Sequence, residues 1–174
     1  MKNKISAWGL FVLSVLLLVG SDQGSKHLAE VYLKGKEDLV LLPGVLRLHY
    51  LYPENRGIAF GMFQGNVKVF AVISVLIVSL MIVLWVRTPR TKRYLPFRLA
   101  CVLLISGAVG NLIDRVFRGF VIDFIYFEPI DFPLFNLADC FVVISAFLIA
   151  ALLIFVYKED EDLAFLSRQK PKGD

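Results

Sequence analysis

The chain contains few of the residues on which soluble metal sites and disulfide scaffolds are built. Its 174 residues include two cysteines and two histidines, and neither a CxxC nor an HExxH motif is present. Cys101 and Cys140 both lie inside apolar runs, while His27 and His49 are isolated along the chain. The sequence therefore excludes a secreted disulfide-rich protein and a soluble zinc module. GxSxG and GxGD motifs are also absent, as are internal repeats and low-complexity segments.

Charged residues are scarce as well. They make up 20% of the chain, whereas hydrophobic residues make up 57%. Soluble domains average about 45–50% apolar residues, with glycine counted, and about 25% charged residues. A chain this short has too little interior to bury such an excess, so we expect a membrane protein. The net charge of +4 does not indicate nucleic-acid binding, because basic residues on so apolar a chain mark the cytoplasmic side of a membrane.

Four apolar runs predict four transmembrane helices, at about residues 5–22, 69–86, 95–114 and 137–157. The first run is also compatible with a secretory signal peptide, but no A-x-A-like cleavage site follows it and three further apolar runs do. We therefore predict an all-α membrane protein, with a single membrane-embedded domain over residues 1–157. A polar cytoplasmic tail is expected over residues 158–174.

Basic residues predict the orientation of these spans. Lys2 and Lys4 precede the first span, and further basic residues follow the fourth. The loop between the second and third spans has no acidic residue and five basic ones, Arg87, Arg90, Lys92, Arg93 and Arg98. By the positive-inside rule, both termini are then cytoplasmic. The segment 23–66 and the loop before the fourth span face outward.

The outer segment carries its own local signals. Residues 40–52 partly alternate between apolar and polar side chains and are interrupted by Pro43 and Gly44, which predicts a short strand or hairpin resting on the membrane surface. The stretch from Asn55 to Asn66 contains three glycines and is expected to be a bent loop.

Polar residues cluster at the outer ends of the first and third spans, where they are costly. Asp22 and Lys26 are four residues apart on a helix, and a local salt bridge is the simplest explanation for them. Asn111, Asp114 and Arg115 share one face of the third span, which fits an interhelical polar clamp. The same span has a face of small residues, including Gly107, that allows another helix to approach closely.

Two aspartates at the entrance to the fourth span are the candidate catalytic residues. Asp123 stands alone in an apolar run, which a solvated charge explains poorly. Asp139 follows Asn136 by three residues, a variant of the capping box, so helix capping explains it about as well as catalysis does. If the loop brings both carboxyl groups together, they share a proton. One can then act as a base on water and the other as an acid on a peptide carbonyl. Because a helix N-terminus favours an anion, we expect the proton to reside more on Asp123.

Other classes of protein remain possible on these residues alone. A small transporter or channel would use intramembrane Asp and Arg to line an ion path, but it predicts repeat symmetry or discontinuous helices, which the sequence does not show. A non-catalytic membrane scaffold would use Asn111, Asp114 and Arg115 to join helices and would leave Asp123 unexplained.

Five sequence blocks, taken in order, resemble the bacterial lipoprotein signal peptidases (signal peptidase II). The similarity covers about residues 5–157. The blocks are Asp22-Gln23-Gly24-Ser25-Lys26, Asn55-Arg56-Gly57-Ile58-Ala59-Phe60, Gly107 to Arg115, Val121-Ile122-Asp123-Phe124 and Phe135-Asn136-Leu137-Ala138-Asp139. Each block alone is weak, but five in series on a four-span chain are highly specific.

The resemblance implies an aspartic endopeptidase of the bacterial cytoplasmic membrane, with four helices and a small extracytoplasmic β-cradle. Such enzymes cleave prolipoproteins before a diacylglyceryl-modified cysteine, at the outer leaflet. They need no metal or organic cofactor. We expect no nucleic-acid partner, contact with membrane lipid, and a monomer. The family's catalytic aspartates correspond to Asp123 and Asp139, and its supporting positions correspond to Asp22, Lys26, Asn55, Gly57, Gly107, Asn111, Asp114, Arg115 and Asn136.

Three positions depart from the family pattern. Ser106 replaces a common glycine, and Cys140 stands where serine is usual. Ile58 stands where alanine is frequent and is expected to narrow the pocket. None of the three changes the predicted chemistry.

Overall fold

A computed structural model describes residues 2–57 and 66–158, with side chains from Ala7 onward. Ile58, Ala59 and Phe60, the glycines at 61 and 65, and the predicted tail beyond Lys158 lie outside the described residues.

Four helices form most of the described chain. They are α1 (Lys2–Tyr32), α2 (Val67–Arg87), α3 (Leu95–Phe117) and α4 (Leu137–Ala151), and α4 continues as a π-helical turn, Leu152–Val156. Each is long and apolar enough to cross a membrane. Pro96 lies in the first turn of α3, where the missing N–H group removes no helical hydrogen bond. The predicted four-helix membrane architecture is confirmed.

Helix α1 extends well beyond the predicted span, which was placed at residues 5–22, and ends at Tyr32. Its last turns remain helical because they have tertiary partners. Ala29 and Leu33 pack with Tyr50, Ile122 and Phe124 in an apolar cluster above the spans. Helix α1 therefore carries Asp22 and Lys26 in its interior and not at its end.

A three-stranded antiparallel sheet lies outside the helices, in the order β1-β2-β3. Strand β1 (Leu39–Leu42) and strand β2 (Leu46–Leu48) form the predicted hairpin. The third strand, β3 (Ile125–Phe127), pairs with β2 and was not predicted, because three residues are too short for an alternating pattern. Every residue of β1 is exposed, so this apolar strand forms an exposed edge of the sheet.

Helix α3 is the most buried of the four helices and packs against the other three. Close packing depends on its small residues. A Cβ atom at Gly107 would overlap the backbone carbonyl of Ala138 at the start of α4, and one at Gly110 would lie 2.5 Å from an Asp22 carboxylate oxygen. The predicted small-residue face is thus real, and it brings α1 and α4 onto α3 at the level of the polar residues.

We predict that Gly107→Ala destabilises the fold by about 1–3 kcal/mol, because α4 must move away from α3. Gly20→Ala is the matched control, since a Cβ atom there meets nothing within 4 Å. Thermal unfolding of both variants in detergent micelles measures the difference. Equal midpoints for the two variants would contradict this account of the α3–α4 contact.

Candidate active site

The Lys26 side chain is the centre of the polar layer between α1 and α3. Its Nζ atom lies 2.9 Å from Asp22 Oδ2, 2.8 Å from Asp114 Oδ2 and 2.9 Å from Asn111 Oδ1. An ammonium group has three donors, so every one of them is used. Lys26, Asp22 and Asp114 are fully buried. The predicted Asp22–Lys26 pair therefore forms, but as part of a network between two helices and not as a local surface bridge.

The two carboxylates around Lys26 have further donors. Asp22 Oδ1 accepts the backbone N–H of Ala138 at 2.9 Å, which ties α1 to the N-terminus of α4. Gln23 Nε2 donates to Asp22 Oδ2 at 3.1 Å and to Asp114 Oδ1 at 3.4 Å. Arg118 Nε lies 3.4 Å from Asp114 Oδ1. These donors compensate the second negative charge, which Lys26 alone does not neutralise.

The first turn of α4 holds Asp139 through a capping box, as predicted. Asn136 Oδ1 accepts the backbone N–H of Asp139 at 3.0 Å, and Asp139 Oδ2 accepts the backbone N–H of Asn136 at 3.1 Å. The other carboxylate oxygen, Oδ1, accepts from Asn111 Nδ2 at 2.8 Å. Asp139 is therefore fixed by its own helix and by α3.

Asp123 lies in the extended segment between α3 and β3 and is 3% exposed. Its carboxyl group accepts two amide hydrogen bonds, from Asn55 Nδ2 at 2.8 Å and from Asn136 Nδ2 at 2.7 Å. Asn55 is itself oriented, because its Oδ1 accepts the backbone N–H of Gly57 at 2.9 Å. The Asn55 carbonyl also accepts the backbone N–H of Val121 at 2.8 Å. The outer loop thus supplies one of the groups that position Asp123.

Asn136 and Asn111 join the two aspartates to the lysine network. Asn136 donates both to Asp123 Oδ1 and, at 3.1 Å, to Asn111 Oδ1. Asn111 in turn contacts Lys26 and Asp139. Neutral amides can orient both carboxyl groups without adding charge beside them. The structure therefore places all the predicted site residues except Gly107 in one connected network, which Arg115 joins through the backbone carbonyl of Asn111. Gly107 acts in helix packing.

Asp123 and Asp139 border the same cavity of about 230 Å³. Its wall also includes Asn55, Asn111, Arg115, Val121, Phe132, Pro133, Leu134, Phe135 and Val143. This volume holds several water molecules, since one needs roughly 10–15 Å³ by this kind of measure. The Arg115 guanidinium donates to the Asn111 carbonyl at 3.3 Å and lies 5.8 Å from the centre of the Phe70 ring. Arg115 therefore lines the cavity and also lies in the last turn of α3.

A larger apolar cavity of about 380 Å³ adjoins the first. The two share Phe132, Phe135, Asp139 and Val143 as walls. The larger cavity is also lined by Cys140, one of the positions that depart from the family pattern. A hydrophobic chain can thus lie beside the polar cavity without displacing its hydrogen bonds.

The pKa of Asp123 is raised to about 7, mainly by burial and in part by the negative charge of Asp139. The hydrogen bonds from Asn55 and Asn136 and the charge of Lys26 act in the opposite direction. A carboxyl group whose charged form is desolvated beside a second carboxylate keeps its proton to a higher pH. This direction supports the expectation that the shared proton resides more on Asp123.

Three residues of the network were not among the predicted site residues: Gln23, Arg118 and Glu30. Gln23 bridges Asp22, Asp114 and the Gly110 carbonyl. Arg118 pairs with Glu30 at 2.8 Å as well as with Asp114. The spacing of Arg118, four residues after Asp114, was a usable signal, whereas no pattern connects residue 30 to residue 118. Within residues 2–57 and 66–158, no group of three or more His, Cys, Asp or Glu side chains is arranged to hold a metal ion.

Comparison with known proteins identifies the family that this chain matches. A family model described as signal peptidase (SPase) II matches residues 14–155. A lipoprotein signal peptidase of Streptococcus pyogenes serotype M1 is 38% identical over 152 residues, which cover 87% of this chain and 95% of the relative. One from Streptococcus thermophilus strain CNRZ 1066 is 33% identical over 147 residues, covering 84% and 92%.

Solved structures show the same fold. A bacterial membrane enzyme determined by the in meso method at 2.3 Å resolution has a TM-score of 0.74 and 28% identity, covering 94% of this chain and 95% of that one. Another, at 1.9 Å resolution, has a TM-score of 0.72 and 30% identity, covering 85% and 94%. The fold and these neighbours define a multi-pass membrane enzyme. The chain belongs to the signal peptidase II family and is a peptidase.

We predict that Lys26→Met destabilises the protein by about 3–5 kcal/mol, because it leaves two buried carboxylates without their cation. Lys34→Met is the control, since the Lys34–Glu54 pair at 3.2 Å is partly exposed and its loss costs much less. Unfolding in detergent, followed by circular dichroism, measures both. A Lys26→Met protein as stable as Lys34→Met would show that the buried network does not hold the helices together.

Proposed function

We propose that this protein removes signal peptides from prolipoproteins, cutting on the N-terminal side of a diacylglyceryl-modified cysteine. The relatives named above are lipoprotein signal peptidases, and the larger apolar cavity suits an apolar substrate. The observation that carries the proposed chemistry is the pair of carboxyl groups, buried Asp123 and half-buried Asp139, at one small cavity. We place the enzyme in the bacterial cytoplasmic membrane as a monomer, with both termini cytoplasmic and the aspartates at the outer leaflet.

The proposed reaction is hydrolysis by an activated water molecule. Asp139 is the better base, because its Oδ2 accepts the backbone N–H of Asn136 at the N-terminus of α4, where a negative charge is favoured, and its Oδ1 accepts from Asn111 on α3. It takes a proton from the water while the oxygen attacks the scissile carbonyl carbon. Asp123, which holds its proton through burial, gives that proton to the carbonyl oxygen. The result is a neutral tetrahedral intermediate.

Collapse of the intermediate returns both protons. The carbon–nitrogen bond breaks, and the leaving nitrogen takes the proton from Asp139. Asp123 recovers a proton from a hydroxyl group as the new carboxyl carbonyl forms. Both aspartates then have their starting protonation states, so the cycle consumes one water molecule and no cofactor. Asn111 and Asn136 keep the two carboxyl groups in position throughout.

The position of Asp123 and Asp139 explains how a substrate embedded in lipid can reach them. The aspartates lie at the outer end of the spans, beside the apolar cavity walled by Phe132, Phe135 and Val143. The substrate's signal helix and acyl chains can remain among the spans and in lipid while the scissile bond meets the cavity. The three-stranded sheet and Asn55 lie on the outer side of the aspartates and contact the peptide there.

We expect Asp123→Asn and Asp139→Asn each to lower kcat by about 10²–10⁴-fold or more, because each removes a proton-transfer group. The assay is cleavage of a diacylglyceryl-modified prolipoprotein in proteoliposomes. Asp131→Asn is the matched control. Asp131 is exposed and has a left-handed backbone conformation (φ 48°) that asparagine also adopts. Wild-type cleavage by both site variants, folded and embedded normally, would end the two-aspartate proposal.

The alkaline limb of the kcat–pH profile is expected near the raised pKa of Asp123, about 7. Activity needs this group protonated, so on this limb the rate falls about tenfold for each pH unit above that value. Asn55→Leu removes a hydrogen bond that lowers the pKa, while a side chain of similar size keeps water out. The limb should therefore move to higher pH in this variant. A shift to lower pH would contradict the assignment of the proton to Asp123.

A further inference from the structure

A separate cavity of about 550 Å³ lies at the end of the helices opposite the aspartates. We call it the basal cavity. It is bordered by the first turns of α1, the end of α2, the α2–α3 connection and the start of α3. Its lining residues are Ala7, Leu10, Phe11, Ser14, Trp85, Arg90, Thr91, Lys92, Leu95, Arg98, Leu99 and Val102. Neither the proposed reaction nor the polar network around Lys26 uses this space.

The walls of the basal cavity are mainly apolar, while its basic residues come from the α2–α3 connection and the start of α3. Arg90 and Lys92 are exposed, and Arg98 is buried. Among the described lining residues none is acidic. The sequence has no acidic residue before Asp22 and none between Glu54 and Asp114. The charged residues that the described chain contributes to the cavity are therefore all basic.

Arg98 is a buried positive charge whose described partners carry no negative charge. Its guanidinium donates to the backbone carbonyls of Trp85 and Thr88, at 3.0 and 3.2 Å, and lies 4.0 Å from the centre of the Trp85 ring. These partners are all neutral. The nearby Arg90 is a like charge that repels it. A buried charge is normally paired with an opposite one, yet the described part of the chain offers Arg98 no carboxylate.

We propose that the basal cavity binds one anionic phospholipid of the membrane. Its phosphate lies among Arg90, Lys92 and Arg98, and an acyl chain extends along the apolar walls formed by α1 and α3. Basic pockets between transmembrane helices commonly bind anionic headgroups in this way. A free phosphate would leave the apolar walls uncovered, and a neutral lipid would leave the charges uncompensated. Only a phospholipid with net negative charge matches both parts of the cavity.

The bound lipid would contact both α1 and α3, which contribute walls to the basal cavity. At the opposite end the same two helices are joined by Lys26 and its three acceptors. The proposal concerns lipid binding and does not depend on the peptidase reaction. Its failure would leave the proposed function untouched.

Native mass spectrometry of the full chain in a neutral detergent tests the proposal, with dioleoyl phosphatidylglycerol and dioleoyl phosphatidylcholine as probes. We expect one retained phosphatidylglycerol and much weaker retention of phosphatidylcholine. Arg90→Gln combined with Lys92→Gln should weaken phosphatidylglycerol binding about 30-fold, the loss expected for two basic contacts. The control is Arg87→Gln combined with Lys158→Gln, which removes the same charge from exposed positions outside the cavity. It should bind phosphatidylglycerol as the wild type does.

A second variant tests the apolar part of the cavity without changing charge. Ser14→Phe fills the wall on α1 and should reduce phosphatidylglycerol retention, and soluble glycerol 3-phosphate should not displace the lipid. Equal retention of both lipids, or unchanged retention in the Arg90 and Lys92 double variant, would overturn the proposal. Displacement by glycerol 3-phosphate would also overturn it, in favour of a phosphate-only site. Absence of any phosphatidylglycerol adduct would overturn the proposal as well.

Discussion

The arrangement of the helices depends on the hydrogen bonds and ion pairs of the buried Lys26 ammonium group. A charge among transmembrane helices is costly unless all its hydrogen bonds are made. Here all three are made, to two residues of α3 and one of α1. That requirement fixes how closely α1 and α3 approach, and it explains the small residue at Gly110, where a side chain would press on Asp22.

The same requirement extends to the aspartates through a series of amides. Asn111 uses its oxygen for Lys26 and its nitrogen for Asp139, so the position of one charged group determines the position of the next. Asn136 links Asn111 to Asp123 by donating a hydrogen bond to each. Because the linking groups are neutral, they place no positive charge beside Asp123, which we propose keeps its proton, whereas the N-terminus of α4 favours a negative charge on Asp139. The proposed difference in protonation between Asp123 and Asp139 thus follows from the place of each residue in the fold.

Much of the fold was predictable because a membrane imposes simple rules on a sequence. Long apolar runs gave the four helices, and the spacing of Asn136 and Asp139 gave the capping box that the structure contains. The extension of α1 to Tyr32 was not predictable, since it depends on packing against Tyr50 and Phe124, which are distant in sequence. Strand β3 was missed because it is short and exists through pairing with β2. For the site, local spacing drew attention to Asp22, Lys26, Asn111 and Asp114. Asn55 was predicted only through the family resemblance, because its contact with Asp123 spans 68 positions and no local pattern reports it.

The central claim is that Asp139 and Asp123 direct a water molecule onto the peptide bond, with no covalent intermediate. A single turnover in H₂¹⁸O, followed by mass spectrometry of both product and enzyme, tests it most directly. The account predicts one ¹⁸O atom in the new carboxyl terminus of the released signal peptide and none in Asp139. Label in the Asp139 carboxyl group, with an unlabelled peptide, would show that the aspartate itself attacks and would contradict the account.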